Sequence, residues 1–318
     1  MSTDSGPRGV HAPGPGAAAD ALGRAPGSTM GSVGATETTG TSVTTGPAGA
    51  VAAPVGSAVR RGGRRRAGLG FLGIVGFALT WELIGRTGVI NAEYVPPFST
   101  TAARLVTELG TPKLWSVLGD TLLTWAIGLG IAVSAALVVG TVIGLVPFLR
   151  RATHTTIEFL RPIPSVAIIP LAVLLLGLTR EAALIVVVYA PFWQVLIQVL
   201  AGIADVDAVG RDTARSFGLG RWHRIRHLVL PTALPYVITG FRLAASIALV
   251  LTITAELVIK NPGIGRQIDV YRMAPDAPGL YALVLVTGLL GLLVNLGTRT
   301  IERRVLHWHP SVRREAAQ

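Results

Sequence analysis

Six long apolar stretches run through residues 67–298, separated by short polar segments that are mostly basic. They lie at about 67–85, 121–148, 160–178, 182–203, 232–258 and 279–298. Each is near the roughly 20 residues that a helix needs to cross the hydrocarbon of a bilayer. The pattern predicts an all-α polytopic membrane protein with about six transmembrane helices. The second stretch is the clearest, with no charge between Asp120 and Arg150. The fourth, between Glu181 and Asp205, and the sixth, between Asp276 and Arg299, are as clean. The third contains Pro162, Pro164 and Pro170, which bend or shorten a helix. The link from Leu178 to Glu181 also leaves little room for a turn, so a shallow re-entrant pair is the alternative for the third and fourth stretches.

Charge placement sets the orientation. With six spans and the N-terminus inside, 20 Lys and Arg fall on the cytoplasmic side and 7 on the opposite side, with Arg242 inside the fifth span. Positive residues are retained on the cytoplasmic side, so the bias gives an N-in, C-in topology. The net charge of +11 therefore reads as topology and not as a nucleic-acid surface. Only 14% of residues are charged, far below the quarter or so of a soluble domain. Cysteine is absent, which excludes disulfides and thiolate metal sites.

The ends differ from the middle. Gly, Ala, Ser, Thr and Pro make up 44 of the first 59 residues, without periodicity. Such a segment buries too little to offset its ordering entropy, and residues 1–66 read as a disordered cytoplasmic tail with a basic end. The arginines at 60–66 before an apolar run imitate a twin-arginine signal. No small-residue cleavage site follows before Trp81-Glu82, so an uncleaved first span is expected. Residues 307–318 form a second basic tail.

The polar island at 204–231 is the most informative segment, reading DVDAVGRDTARSFGLGRWHRIRHLVLP from Asp205. Val206, Val209, Thr213 and Phe217 recur at helical spacing and predict one face of a short helix. Gly218 and Gly220 break it, and Trp222, Ile225 and Val229 give an apolar face to a second helix. A short helix with an exposed apolar stripe suits a partner's groove. An interfacial helix lying on lipid headgroups is the other reading, given the arginines nearby.

Asp212-Thr213-Ala214, Gly218, Leu228, Leu230 and Pro231 resemble the EAA loop of ATP-binding-cassette importer permeases. That pattern is Glu-Ala-Ala, three residues, Gly, nine residues, an Ile-like residue, one residue, then Leu-Pro. The spacing here fits without a gap, although Asp212 replaces the usual Glu and Thr213 the first Ala. The wider run to Val250 looks most like the permeases of the nitrate, sulfonate and taurine importers, over roughly residues 70–306. The resemblance implies a membrane subunit that works as a dimer, probed by an extracytoplasmic solute-binding protein and driven by two copies of a separate ATPase. ATP and magnesium would sit on those ATPases, and this chain would hold no cofactor. Asp212, Ala214 and Gly218 would then couple the ATPase to the spans, with Pro231 starting the fifth. Small organic or inorganic anions such as sulfonates, taurine or nitrate are the implied cargo.

The remaining chemistry is sparse. Neither lysine, Lys113 or Lys260, follows a GxxxxGK[ST] phosphate loop, so the chain carries no recognisable ATPase. Arg242 and Glu256 are ionisable groups inside a span, which are costly and often functional. They are 14 residues apart, about 21 Å along a helix, and cannot pair with each other. Arg242 can pair within the bundle or face an anion pathway; Glu256 can snorkel to the outer interface or serve a gating or substrate role. Arg215, Arg221, Arg224 and Arg226 can meet an acidic partner or simply hold the loop inside. His223 and His227 are one turn apart without a third ligand nearby. Outside the membrane, Ser99 or Thr100 is expected to cap a helix from about Thr101, and NPGIGRQI at 261–268 reads as a turn and a surface helix. An ion-coupled secondary transporter would need more acidic or His residues at membrane depth, and an intramembrane enzyme a catalytic cluster there.

Overall fold

The computed structural model describes residues 59–307 apart from 89 and 92, with side chains from Leu69 onward. Of the tails expected at 1–66 and 307–318, residues 1–58 and 308–318 lie outside the described residues, while 59–66 are the first turns of α1 and not a disordered end. No strand occurs among the described residues. The helices are α1 (Val59–Thr87), α2 (Phe98–Leu109), α3 (Pro112–Leu145), α4 (Pro147–Leu160), α5 (Ile169–Leu176), α6 (Arg180–Ala204), α7 (Ala208–Ser216), α8 (Arg221–Arg224), α9 (Leu230–Ile259), α10 (Ile264–Met273) and α11 (Ala277–Val305). A 3₁₀ turn, Ser165–Ile168, precedes α5, and a π turn, Ile225–Val229, joins α8 to α9.

Five helical stretches are long and apolar enough to cross a membrane: Leu69–Thr87, α3, α6, Arg221–Ile259 and α11. The third stretch, at 160–178, is bent, as its prolines led one to expect. α4 and the Ser165–Leu176 segment meet at 82°. Pro162 and Pro164 deny the helix two backbone donors, so it ends at Leu160 although Arg161 still has αR backbone. The bend raises the choice between a crossing and a re-entrant loop.

The packing of α3 on α6 decides it. A Cβ placed on Gly128, Gly140 or Gly144 would come within 2.5, 2.9 and 2.6 Å of Val187, Val199 and Ile203 respectively. All three pairs carry the same offset along the chain, so α3 and α6 run parallel. A parallel pair needs the intervening chain to return across the bundle, so α4, the 3₁₀ turn and α5 are one crossing made in two legs. Arg180 bonding Asp120 (3.1 Å) closes the same pairing at the other end. The stretch is thus a crossing, giving six in all.

Small residues make this approach close. Gly128, Ala132, Ala136 and Gly140 are buried at four-residue spacing along α3 and face Val187 and Val199. Between helices in lipid there is little hydrophobic drive, so association rests on such close backbone packing. α9 lies antiparallel on α6, with Gly202 against Ala233 and Gly240 against Gln198. α11 returns antiparallel to α9, where Arg242 bonds Glu302 at 3.2 Å. The ends of α3, α6 and α11 and the start of α9 therefore share one face, the face that charge assigns to the cytoplasm.

At the opposite face α2 is held by α1. The Ser99 amide and hydroxyl both donate to Glu82 (2.8 and 2.9 Å), and the Trp81 indole donates to the Pro96 carbonyl (3.0 Å). The helix begins at Phe98 after Pro97, without a side-chain cap of its own. The expected Ser99 or Thr100 cap is replaced by a carboxylate from the neighbouring helix, which satisfies the same orphan donor. α10 departs from expectation too. Ile264, Gly265, Gln267 and Asp269 are buried, so it is tucked into the bundle and is not a surface helix.

Candidate functional site

The cytoplasmic loop begins with Asp207, whose carboxylate accepts from the amides of Val209 and Gly210 (both 3.2 Å) and starts α7. Arg211 donates to the Ile203 carbonyl at 2.8 Å, pinning α7 to the end of α6. Val206 turns into the core, while Val209 and Phe217 are 71% and 81% exposed and Thr213 is exposed with them. The four residues expected on one face thus divide into one anchor and three that point outward.

α7 ends at a glycine. Gly218 has φ +68°, and its amide donates to the Arg215 carbonyl (2.9 Å) while Leu219 donates to Ala214 (3.0 Å). This pair of bonds is a Schellman motif, which needs a left-handed residue at that position. Nothing lies within 4 Å of where a Cβ would stand, so the requirement on Gly218 is conformational and not steric.

The helix after it starts at Arg221 and runs through the π turn into the membrane. Pro231 is the second residue of α9, just past the π turn, in helical backbone that runs unbroken from Arg221. Its ring would collide with the carbonyl four residues back in a regular helix, and the widened turn relieves that crowding. Leu228 lies in this turn, 3.4 Å from where a Cβ on Gly210 would stand, and so props α7 against the next helix. Leu230 and Trp222 are 56% and 70% exposed. Asp212 pairs only with Arg215, at 3.3 Å and in solvent, where such a pair is worth little. Asp212, Thr213, Phe217 and Trp222 thus stand exposed on a basic surface. The His223 and His227 rings stack with centroids 5.9 Å apart, and among the described residues no group of three or more metal-binding side chains occurs.

The two ionisable residues of the fifth span have separate duties. Arg242 is half-exposed and paired with Glu302 of α11, so it ties two helices at their cytoplasmic halves. Glu256 is fully buried and does not snorkel. Its Oε2 accepts from the Thr121 hydroxyl and from the Gly265 amide, both at 3.0 Å. Thr121 in turn accepts from the Ile264 amide at 2.8 Å. A Cβ on Gly263 would overlap the Glu256 carboxyl, and one on Gly265 would overlap the Ile253 carbonyl. The glycines of NPGIG let the loop close over the carboxylate. Next to this knot, Lys260 (2.8 Å) and Arg272 (2.6 Å) bond Asp269 and hold its carboxyl below the usual range.

A third feature is a groove of about 580 Å³ between α4 and α6. Arg150, His154, Glu158 and Arg161 enter it from α4, and Trp193 and Gln194 from α6. The hydroxyl of Tyr189 donates to the Leu160 carbonyl at 2.6 Å, which sets the bend beside the middle of α6. Arg161 thus stands at mid-depth and not at the cytoplasmic edge where its charge was counted. Proximity in sequence to Arg150 and Arg151 concealed that position.

Comparison with known proteins agrees with this arrangement. The taurine transport system permease protein TauC of Escherichia coli K12 is 28% identical over 247 residues, covering 76% of this chain and 90% of that protein. The putative aliphatic sulfonates transport permease protein SsuC of Bacillus subtilis 168 is 27% identical over 73% of this chain and 84% of its own length. The bicarbonate transport system permease protein CmpB of a Synechocystis strain is 28% identical, over 73% and 86%. Among solved structures, an inward-facing methionine transporter, MetNI, shares the fold with a TM-score of 0.54, 17% identity, and coverage of 61% of this chain and 96% of that one. A profile of binding-protein-dependent transport system inner membrane components matches residues 128–307, more than half of the chain, including all of its cytoplasmic loop and the packed face of α3 from Gly128 onward. The chain belongs to that family and is a membrane-embedded permease subunit of an ATP-binding-cassette importer.

Proposed function

We propose that this subunit forms the route of a small anion, organic or inorganic, of the sulfonate, taurine, nitrate or bicarbonate kind. A separate ATPase, two copies to an importer, supplies the energy and holds the ATP and magnesium; this chain holds no cofactor. The observation that carries the reading is the exposed Val209, Thr213, Phe217 and Trp222 face on the cytoplasmic loop. Large apolar side chains on an otherwise basic, solvated surface mark a docking site. Ala214 and Gly218 close the end of that short helix and Asp212 offers an exposed carboxylate on it, with Leu228, Leu230 and Pro231 leading its motion into α9. A second copy of the chain and an extracytoplasmic solute-binding protein complete the assembly. The cargoes for which the relatives are named, taurine, aliphatic sulfonates and bicarbonate, support an anion.

The test is affinity purification of the full chain from gently solubilised native membranes. Recovery of a protein with a GxxxxGK[ST] loop, lost on Gly218→Val, supports the docking role. Recovery of the chain alone, still able to transport in vesicles, sinks it and favours an ion-coupled secondary transporter.

A further inference from the structure

We infer that the groove between α4 and α6 is the anion-recognising stretch of the transport route, with Arg161 as the group that meets the cargo at mid-membrane. The inference rests on the small-anion reading above and adds to it the residues that do the recognising.

Three observations converge on the groove. The first is the break itself. Backbone at Arg161–Pro164 is irregular at the level of Tyr189, near the middle of α6. Irregular backbone at that depth survives only where protein buries it or where it lines a wet cavity. Arg161 and Pro164 are not buried by this chain, and Arg161 and Pro162 line the groove.

The second is charge. The Arg161 guanidinium makes no ion pair or hydrogen bond to any described residue, although an unpaired cation at membrane depth is costly. Arg150, His154, Ile157, Glu158 and Arg161 follow one another at helical spacing and line the same face of α4. The one carboxylate among them, Glu158, is engaged by His154 at 3.5 Å. The groove therefore offers two arginines, one near the cytoplasmic mouth by Ile143 and Ala201 and one at the bend. A guanidinium presents several donors in a plane and suits the oxygens of a sulfonate, nitrate or carbonate.

The third is the opposite wall. Gln194 adds a neutral polar side chain, and the Trp193 indole N–H is buried without an acceptor. A lipid phosphate shares this chemistry, but headgroups lie at the membrane surface and Arg161 stands a helix half-length away from it.

The chain has no cysteine, so Gln194→Cys introduces a single thiol on the groove wall. Its rates with an anionic sulfonatoethyl and a cationic trimethylammonioethyl methanethiosulfonate are measured on the full chain in nanodiscs. Trp115→Cys, an exposed site outside the groove, normalises the intrinsic rates. The anionic reagent is expected to be favoured at position 194. Arg161→Gln should lower that preference about tenfold, and Arg161→Lys should keep most of it. Excess methanesulfonate should slow the anionic reagent at position 194 and leave position 115 untouched, a readout that needs no folded Arg161→Gln variant. An unreactive thiol, or a preference indifferent to both Arg161→Gln and methanesulfonate, overturns the inference. Loss of the preference on adding anionic lipid assigns the groove to a headgroup and overturns it as well. None of these rates needs an ATPase or binding protein, so failure of anion uptake by the whole importer is read separately.

Discussion

Glu256 of α9 and Thr121 of α3 share a 3.0 Å hydrogen bond with both side chains fully buried, and the NPGIG loop closes onto them through the Ile264 and Gly265 amides. A charged residue read from sequence as a gate or a snorkelling group is thus the keystone of a joint between three elements. Removing it should therefore cost stability before it costs selectivity. Glu256→Ala strands two buried donors, a loss of about 2–5 kcal/mol. Gly263→Ala is expected to be comparably damaging, because its methyl would occupy the carboxyl's space at φ +154°. Thermal unfolding in detergent checks both, and a Gly263→Ala chain as stable as the parent would refute the joint.

Gly218 is constrained by its backbone angle and not by its neighbours. Gly218→Asn should be tolerated, because asparagine accepts the left-handed region, whereas Gly218→Val should lose about 1–2 kcal/mol locally and unravel the end of α7. Uptake is expected to fall strongly for valine and little for asparagine, at equal membrane insertion. Equal uptake by the two variants would detach the loop's shape from coupling.

Gly140 meets Val199 so closely that any larger residue must push α3 from α6. Gly140→Leu is expected to cost about 1–3 kcal/mol or more, with Val199→Ala in the same chain restoring part of it. A double-mutant cycle on thermal stability measures the coupling. An additive result would mean the parallel pairing is wrong.

Asp269 is held below its ordinary value of 3.8 by Lys260 first and then Arg272. A depressed carboxyl pKa gives stability that is complete above the unfolded value and is lost as pH falls through the folded one. The contribution should therefore be constant from pH 7 to about 5, then fade below 3.8. Asp269→Asn should flatten that acid limb, as followed by unfolding between pH 3 and 7.

Single cysteines at Trp115 and Phe217, both exposed, should label from opposite membrane faces. Labelling from the same face would remove one of the six crossings.

Much of the chain's organisation was legible in its sequence because burial in lipid acts on every residue of a span. Apolar length located the clean crossings, arginine placement oriented them, and the spacing from Asp212 to Pro231 marked the cytoplasmic loop. Proline at 162, 164 and 170 announced the bend. These are local signals, read from residues whose consequences fall within a few turns of themselves.

What the tertiary structure alone decided were pairings across long sequence distances. The bend at Pro162 reads as a crossing only because Gly128, Gly140 and Gly144 pair in parallel with α6. The four-residue spacing of small residues on α3 was visible, but its partner was not. Glu256 and Arg242 look equally exceptional in a hydropathy profile; one closes a joint with Thr121 and the other binds Glu302, 60 residues away. Arg161 looked cytoplasmic until the fold set it beside Tyr189. Sequence fixes what each segment needs from its surroundings, and only packing in three dimensions says which neighbour supplies it.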